Sequence, residues 1–234
     1  GKSITALSVL RLVPVPPARI SGEILFAGRD LLKLPLNQMP DIRGKDIGMI
    51  FQVPMSSLNP VMTIGDQIEE ALLLHEGWPA AERRRRVIEL LKLVGMPDPE
   101  GRLRAYPDQF SGGMRQRVVA AIAMACNPKL LIADEPTTAL DVTIQAQVLA
   151  LMLDIRRRFN SAILLISHDL GVVAEICERV VVMYAGHIME DADTRSLFHN
   201  PRHPYTQGLL KSVPTLTETR HRLYQIPGTV PPPG

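Results

Sequence analysis

The 234-residue sequence has only two cysteines, Cys126 and Cys177, far apart and without a Cys-x-x-Cys spacing. That argues against a disulfide framework or a zinc site and fits a reducing compartment, with each thiol acting as small core filler. The sequence also has no strong charge bias. A formal net charge of +2 is too balanced to suggest nucleic acid as a partner through bulk charge. It has no long hydrophobic run either. The longest, Val118 to Cys126, falls well short of the ~20 residues that span a bilayer, and the start carries no signal-peptide pattern. If the protein works at a membrane, a partner supplies the spans. There are no repeats of solenoid length.

What is present is the composition of an ordinary globular chain, 46% hydrophobic and 21% charged, large enough for a real core. One stretch organises it. Leu130-Leu-Ile-Ala-Asp-Glu-Pro-Thr-Thr-Ala-Leu-Asp141 runs four apolar residues into two adjacent carboxylates. The apolar run suits a strand buried on both faces of a parallel sheet. Asp134 and Glu135 then emerge at the carboxyl edge, where open α/β sheets bind ligands, and Pro136 stops the strand. Such a pair can divide labour, one acid holding Mg²⁺ and the other taking a proton from water. It can equally be a solvated acidic turn.

The first residues, Gly1-Lys2-Ser3, precede an apolar helical pattern at Ile4, Leu7, Leu10 and Val13 that stops at Pro14. Gly-Lys-Ser opening a helix matches the last third of a phosphate-binding loop, in which Lys reaches the β- and γ-phosphates and the hydroxyl ligates Mg²⁺. The same three residues also fit a plain polar terminus. The spacing predicts short strands at Gly22–Phe26 and Ile47–Phe51, the second ending in Gln52 and a turn-rich segment through Pro60. Thr63 with Asp66 resembles a capping box. Helices are predicted from there, and from about Pro79 to Val94 with Val87, Leu90, Leu91 and Val94 on one face. The Arg83–Arg86 run reads as a solvated face of that helix rather than an anion patch. Ser111 is a natural N-cap. Gly112 and Gly113 leave N–H groups open to an anion at the start of the next helix. Thr143 to Phe159 is amphipathic. Ala162 to Ile166 reads as another buried strand, ending in Ser167-His168-Asp169, where a lone His is as compatible with a structural role as with a catalytic one. A hairpin around Ala185-Gly186, a helical turn at Thr194–Phe198 and a last short helix to Ser212 follow, then a Pro- and Gly-rich tail from Ile226 to Gly234.

The order of these pieces, Gly-Lys-Ser, strand-end Gln, helical insert, Ser-Gly-Gly, apolar-Asp-Glu, Ala-Leu-Asp and strand-end His, resembles the ATP-binding cassette ATPases over essentially the whole chain. Phe51 to Pro60, Phe110 to Arg117 and Asn200 to Thr206 are similar to the ATP-binding subunits of oligopeptide and dipeptide permeases. The resemblance implies an α/β fold, a P-loop NTPase-like, mostly parallel sheet core lacking its N-terminal strands. That core would span residues 1–53 and 129–199, with an inserted helical subdomain at 54–128 and a C-terminal extension at 200–234. It implies ATP and Mg²⁺ as ligands. Gly1, Lys2 and Ser3 would grip phosphate, Ser3 also the metal. Gln52 would sense metal and attacking water, Asp134 would hold Mg²⁺ through water, Glu135 would be the general base, and His168 would contact the γ-phosphate. Asp141 would sit at a dimer seam, and Ser111, Gly112 and Gly113 would bind the ATP of the opposite subunit.

The implied partners are transmembrane permease subunits, a second identical or related ATP-binding subunit and, indirectly, a substrate-binding protein. Nucleic acid is not among them. The implied location is peripheral, on the cytoplasmic face of the inner membrane. The implied cargo is peptides, with nickel or glutathione-like solutes as alternatives. A soluble cassette ATPase of DNA repair or translation is a rival, but the insert has no sustained heptads or cysteine pairs. The sequence departs from the family where the phosphate loop is cut, where Val53 stands in place of a frequent Asp, and where it stops before a segment that in such subunits can hold an iron–sulfur site. The chain is therefore expected to be a piece truncated at both ends, to bind ATP weakly as it stands and to carry no cluster.

Overall fold

A computed structural model describes residues 1–52, 57–137, 142–213 and 225–228. Its contacts divide the chain into two units, Ala6–Ile166 and a second made of Gly1–Thr5 with Ser167–Gly234. Helix α1 (Lys2–Val9) runs through the first boundary.

The larger unit is built on a three-stranded parallel sheet in the order β3 (Ile47–Ile50), β4 (Leu130–Asp134), β5 (Ala162–Ile166). All of β3 and Leu131–Asp134 of β4 are buried, as the unbroken apolar runs require of a sheet covered on both faces. One face packs under Ala6, Leu10, Leu31, Met39 and Ile42, which join Ile47, Met49 and Ile132. The other carries the helices. Ile64, Ile68 and Leu72 of α2 (Ile64–His75) and Val87, Leu90 and Leu91 of α3 (Ala80–Leu93) meet Val118 and Val119 of α5 (Gly112–Ala123), together with Ile50 and Leu131 of the sheet. The predicted helices and this sheet therefore share one core. A short helix α4 (Pro99–Arg102), N-capped by Asp98, follows α3. Helix α6 (Val142–Phe159) covers Ala133 through Val148 and Met152. Before the sheet, β1 (Leu25–Phe26) and β2 (Arg29–Asp30) form a small hairpin with Gly28 in its turn.

Three expectations need correction. Helix α1 stops at Val9, short of Pro14, because Arg11 turns to φ +52° and the guanidinium of Arg43 takes the carbonyls of Leu10 and Arg11 at 2.8 and 2.9 Å. These carbonyls are satisfied by a distant arginine, which the local pattern could not show. Ile4 is exposed, and the buried stripe is Ala6 and Leu10. Strand β5 is not buried: among the described residues it pairs only with β4, and Leu164 remains 41% exposed. The arginine run is not a uniformly solvated face either. The side chain of Arg85 is 74% exposed, but that of Arg83 is 16% and that of Arg86 14%.

The smaller unit contains α7 (Leu170–Ile176), the hairpin β6 (Arg179–Tyr184) and β7 (His187–Asp193), α8 (Thr194–His199) and α9 (Pro204–Lys211). Ala185 and Gly186 turn the hairpin at φ +48° and +85°, the mirror-image turn that matches strand twist and that glycine adopts without strain. Asp169 and Asp193 cap α7 and α8 with their side chains. The Glu190 carboxylate accepts from the N–H groups of Arg202 and His203 at 2.8 and 3.1 Å, which holds the Asn200–His203 loop against β7. The rings of Tyr184 and Tyr205 pack in a tilted pair, centroids 4.5 Å apart. Among the described residues no helix is long and apolar enough to cross a membrane. Val53, Asp141 and most of the Pro-rich tail lie outside the described residues.

Candidate active site

The parallel register sets the site in the larger unit. Ile50 of β3 lies opposite Ala133 of β4, so two residues further on Gln52 is level with Glu135. The Gln52 amide Nε2 donates to Glu135 Oε2 at 3.1 Å, bridging 83 positions of sequence. Asp134, the last residue of β4, is only 3% exposed and lies opposite Ile166 of β5. The next residue turns sharply. Glu135 sits at φ +49°, a conformation that costs a non-glycine residue free energy and that persists where surroundings enforce it. Its N–H donates to Ile166 O at 2.9 Å. The Asp-Glu-Pro sequence therefore places one acid at the buried end of the strand and the other on a half-buried turn beside an amide from the neighbouring strand.

At the start of α5, Ser111 is the N-cap, and its Oγ accepts from the N–H of Met114 at 3.4 Å. Gly112 is exposed, with nothing within 4 Å of where a Cβ would stand, so an anion could approach the first backbone N–H groups of the helix. Gly113 faces Ile144, whose Cγ2 would lie 3.0 Å from an added Cβ. A side chain at Gly112 would fit sterically but would cover the N–H groups. One at Gly113 would press on α6.

In the smaller unit, Lys2 and Ser3 begin α1. The Lys2 ammonium donates to Ser167 O at 3.1 Å, next to the exposed His168. Residues 165 positions apart in sequence thus meet within this unit, as the Gly-Lys-Ser and Ser-His pieces require if they are to act on one ligand.

The sequence reading missed Gln116. It is polar, 2% exposed, and sits inside an otherwise apolar stretch of α5. Its Nε2 donates to Pro136 O at 2.6 Å. The available signal was its spacing: Gln116 precedes the buried Val119, Ala120 and Ala123 at helical intervals. The helix is fixed further by Arg115 Nε on Pro107 O at 2.7 Å and by Arg117 Nη1 on the Val94 and Gly95 carbonyls at 2.7 and 2.8 Å.

Within the larger unit, Asp134 and Gln52 offer hard oxygens, from a carboxylate and an amide. Among the described residues no group of three or more His, Cys, Asp or Glu could cage a metal by itself. Protein sites typically hold Mg²⁺ through one or two carboxylates together with substrate phosphates.

Residues 1–138 match the ABC transporter family, and residues 189–234 match the oligopeptide/dipeptide transporter C-terminal region. The chain belongs to the ABC transporter family. Within it, the oligopeptide transport ATP-binding protein OppD of Bacillus subtilis (strain 168) is 55% identical over 233 residues, covering 99% of this chain and 65% of that protein. The dipeptide transport ATP-binding protein DppD of Escherichia coli (strain K12) is 49% identical over 231 residues, covering 99% of this chain and 71% of that protein. This ABC chain thus spans about two thirds of the length of these relatives. Among solved structures, a dimeric post-hydrolysis state of the ATP-binding cassette MJ0796 bound to ADP and Pi aligns with a TM-score of 0.71 at 26% identity. It covers 83% of this chain and 80% of that one. The α/β core built on a parallel sheet is the fold of these cassettes.

Proposed function

We propose that this chain is the ATP-hydrolysing part of an ABC importer for peptides. The observation that carries the reading is the Gln52–Glu135 pair at the carboxyl end of the central strand, 3.1 Å apart and beside the buried Asp134. A carboxylate there can accept a proton from water as its oxygen attacks the γ-phosphorus. The bond from that phosphorus to the bridging oxygen of ADP then breaks, releasing ADP and phosphate.

Each residue has a proposed role. Glu135 is the base. Gln52, already bonded to it, orients the water. Lys2 contacts the β- and γ-phosphates, its ammonium charge matching theirs, and Gly1 lets the backbone approach them. His168 contacts the γ-phosphate. Ser3, Asp134 and Gln52 would hold Mg²⁺, which when bound neutralises phosphate charge. Ser111, Gly112 and Gly113 present an open helix start to the ATP of a second ATP-binding subunit, with Asp141 at the seam between the two. The helices between residues 54 and 128 would carry the change to transmembrane permease subunits on the cytoplasmic face of the inner membrane, where the chain is peripheral. Peptides, delivered by a substrate-binding protein, are the proposed cargo because the relatives carry oligopeptide and dipeptide transport names. The match of residues 189–234 to the oligopeptide/dipeptide C-terminal region supports the same branch.

The test is Glu135→Gln in the full-length chain. Turnover should fall by about 10²–10⁴-fold if the base is lost, while ATP binding measured by equilibrium titration stays intact. Unchanged turnover would remove Glu135 as the base.

A further inference from the structure

We propose that Gln116 is a positioning residue that sets the backbone turn carrying Glu135. The inference rests on the reading of Glu135 as general base. Glu135 is held at φ +49°, and the following residue, Pro136, has no N–H with which to anchor the turn. Two hydrogen bonds bracket it. The Glu135 N–H is taken by Ile166 O at 2.9 Å on the β5 side, and the Pro136 carbonyl receives Gln116 Nε2 at 2.6 Å on the α5 side. Removing either would let the carboxylate swing.

Packing alone does not account for the glutamine. Its side chain is 2% exposed, and its Oε1 is buried with no hydrogen-bond partner among the described residues. A half-satisfied buried amide is a poor space filler: an apolar side chain of similar volume would fill the site without the desolvation cost. What the amide adds is a donor aimed at one carbonyl, next to the base.

The link also has a direction. Gln116 lies on the helix whose start, Ser111 to Gly113, would grip the ATP of the opposite subunit. Arg115 and Arg117 tie the same helix to the Pro107 and the Val94–Gly95 carbonyls. A shift of this helix on ATP-driven closure therefore reaches the base of its own subunit through a single amide. Glu135 is aligned only when the helix is seated.

Three full-length variants test this. Gln116→Met keeps volume and removes the donor. Its kcat should fall about ten- to hundredfold, the scale of a small misplacement in an active site, while the affinity for ATP stays at the parent value and Tm falls only slightly, the lost bond to the Pro136 carbonyl being partly offset by removal of a half-satisfied buried amide. Gln116→Glu places an acceptor against the Pro136 carbonyl. Its kcat should fall further at about pH 8 and recover relative to parent towards about pH 6, as the introduced carboxyl gains the proton that restores a donor. A purely structural role predicts neither the preserved affinity nor the pH-dependent recovery. A Gln116→Met kcat within about twofold of parent, or parallel losses of Tm, ATP affinity and kcat in both variants, would overturn the proposal. Glu135→Gln separates it from the reading beneath. If that variant loses turnover while Gln116→Met does not, only the positioning role fails. If Glu135→Gln turns over normally, the base assignment fails.

Discussion

Arg83 to Arg86 show how one residue type serves different ends within a single helix turn. The guanidinium of Arg86 bonds Asn127 and the Ala125 carbonyl and lies 5.6 Å from the centroid of the Phe159 ring, while Arg85, mostly exposed, pairs with Glu89 at 3.9 Å. Arg86→Ala should cost about 2 kcal/mol of stability, through lost packing and a carbonyl left without its donor. Arg85→Ala should stay within about 0.5 kcal/mol. Urea denaturation of the two variants checks the contrast. The sequence held a usable sign of the difference: Arg83 and Arg86 lie four residues before Val87 and Leu90, on the buried side of the helix, and Arg85 does not. At the same scale, burial pushes the Cys126 thiol up to about 11. Only about a thousandth of it is thiolate near pH 8, so the native chain should alkylate far more slowly there than the unfolded chain. Mass spectrometry after timed exposure to iodoacetamide measures the ratio.

At the scale of elements, strand β3 and helix α5 are locked by the absence of a side chain. A Cβ on Gly48 would stand 2.1 Å from the carbonyl oxygen of Ala123. A backbone atom at a helix end cannot retreat as a side-chain tip can. Gly48→Ala should therefore destabilise the chain by about 2–3 kcal/mol, the cost of overpacking a core, lowering the midpoint of chemical unfolding. The elements themselves were largely legible. The Thr63 cap, the face of α3, the start of α5 and the hairpin at Ala185-Gly186 follow from short-range rules that the structure repeats. The failures occur where a distant partner intervenes. α1 ends early because Arg43 collects its carbonyls, and β5, which among the described residues pairs only with β4, reads like a buried strand because its Ala-Ile-Leu-Leu-Ile run is as apolar as that of β4.

For the whole molecule, the described apolar clusters of the core all fall within Ala6–Ile166. Unit by unit, protection against hydrogen exchange should follow this. Amides of Ile132 and Ala133 in the central strand should exchange only on global unfolding, and those of the β6–β7 hairpin at lower free energy. Exchange measured by mass spectrometry with proteolytic fragmentation tests the order. Equal protection in both regions would contradict it.

The sequence by itself determined which pieces of chemistry the chain carries and in what order: a Gly-Lys-Ser helix start, a strand-end Gln, a Ser-Gly-Gly cap and an acid pair behind an apolar run. Those are local features, written in contiguous residues and in periods of two and 3.6. Only the tertiary structure decided what each piece touches. The parallel register of β3 and β4 sets Gln52 on Glu135, and the packing of α5 over the sheet brings Gln116 to the Pro136 carbonyl. Both contacts join residues far apart in sequence. Their geometry comes from strand pairing and helix packing over many residues, which no short stretch encodes.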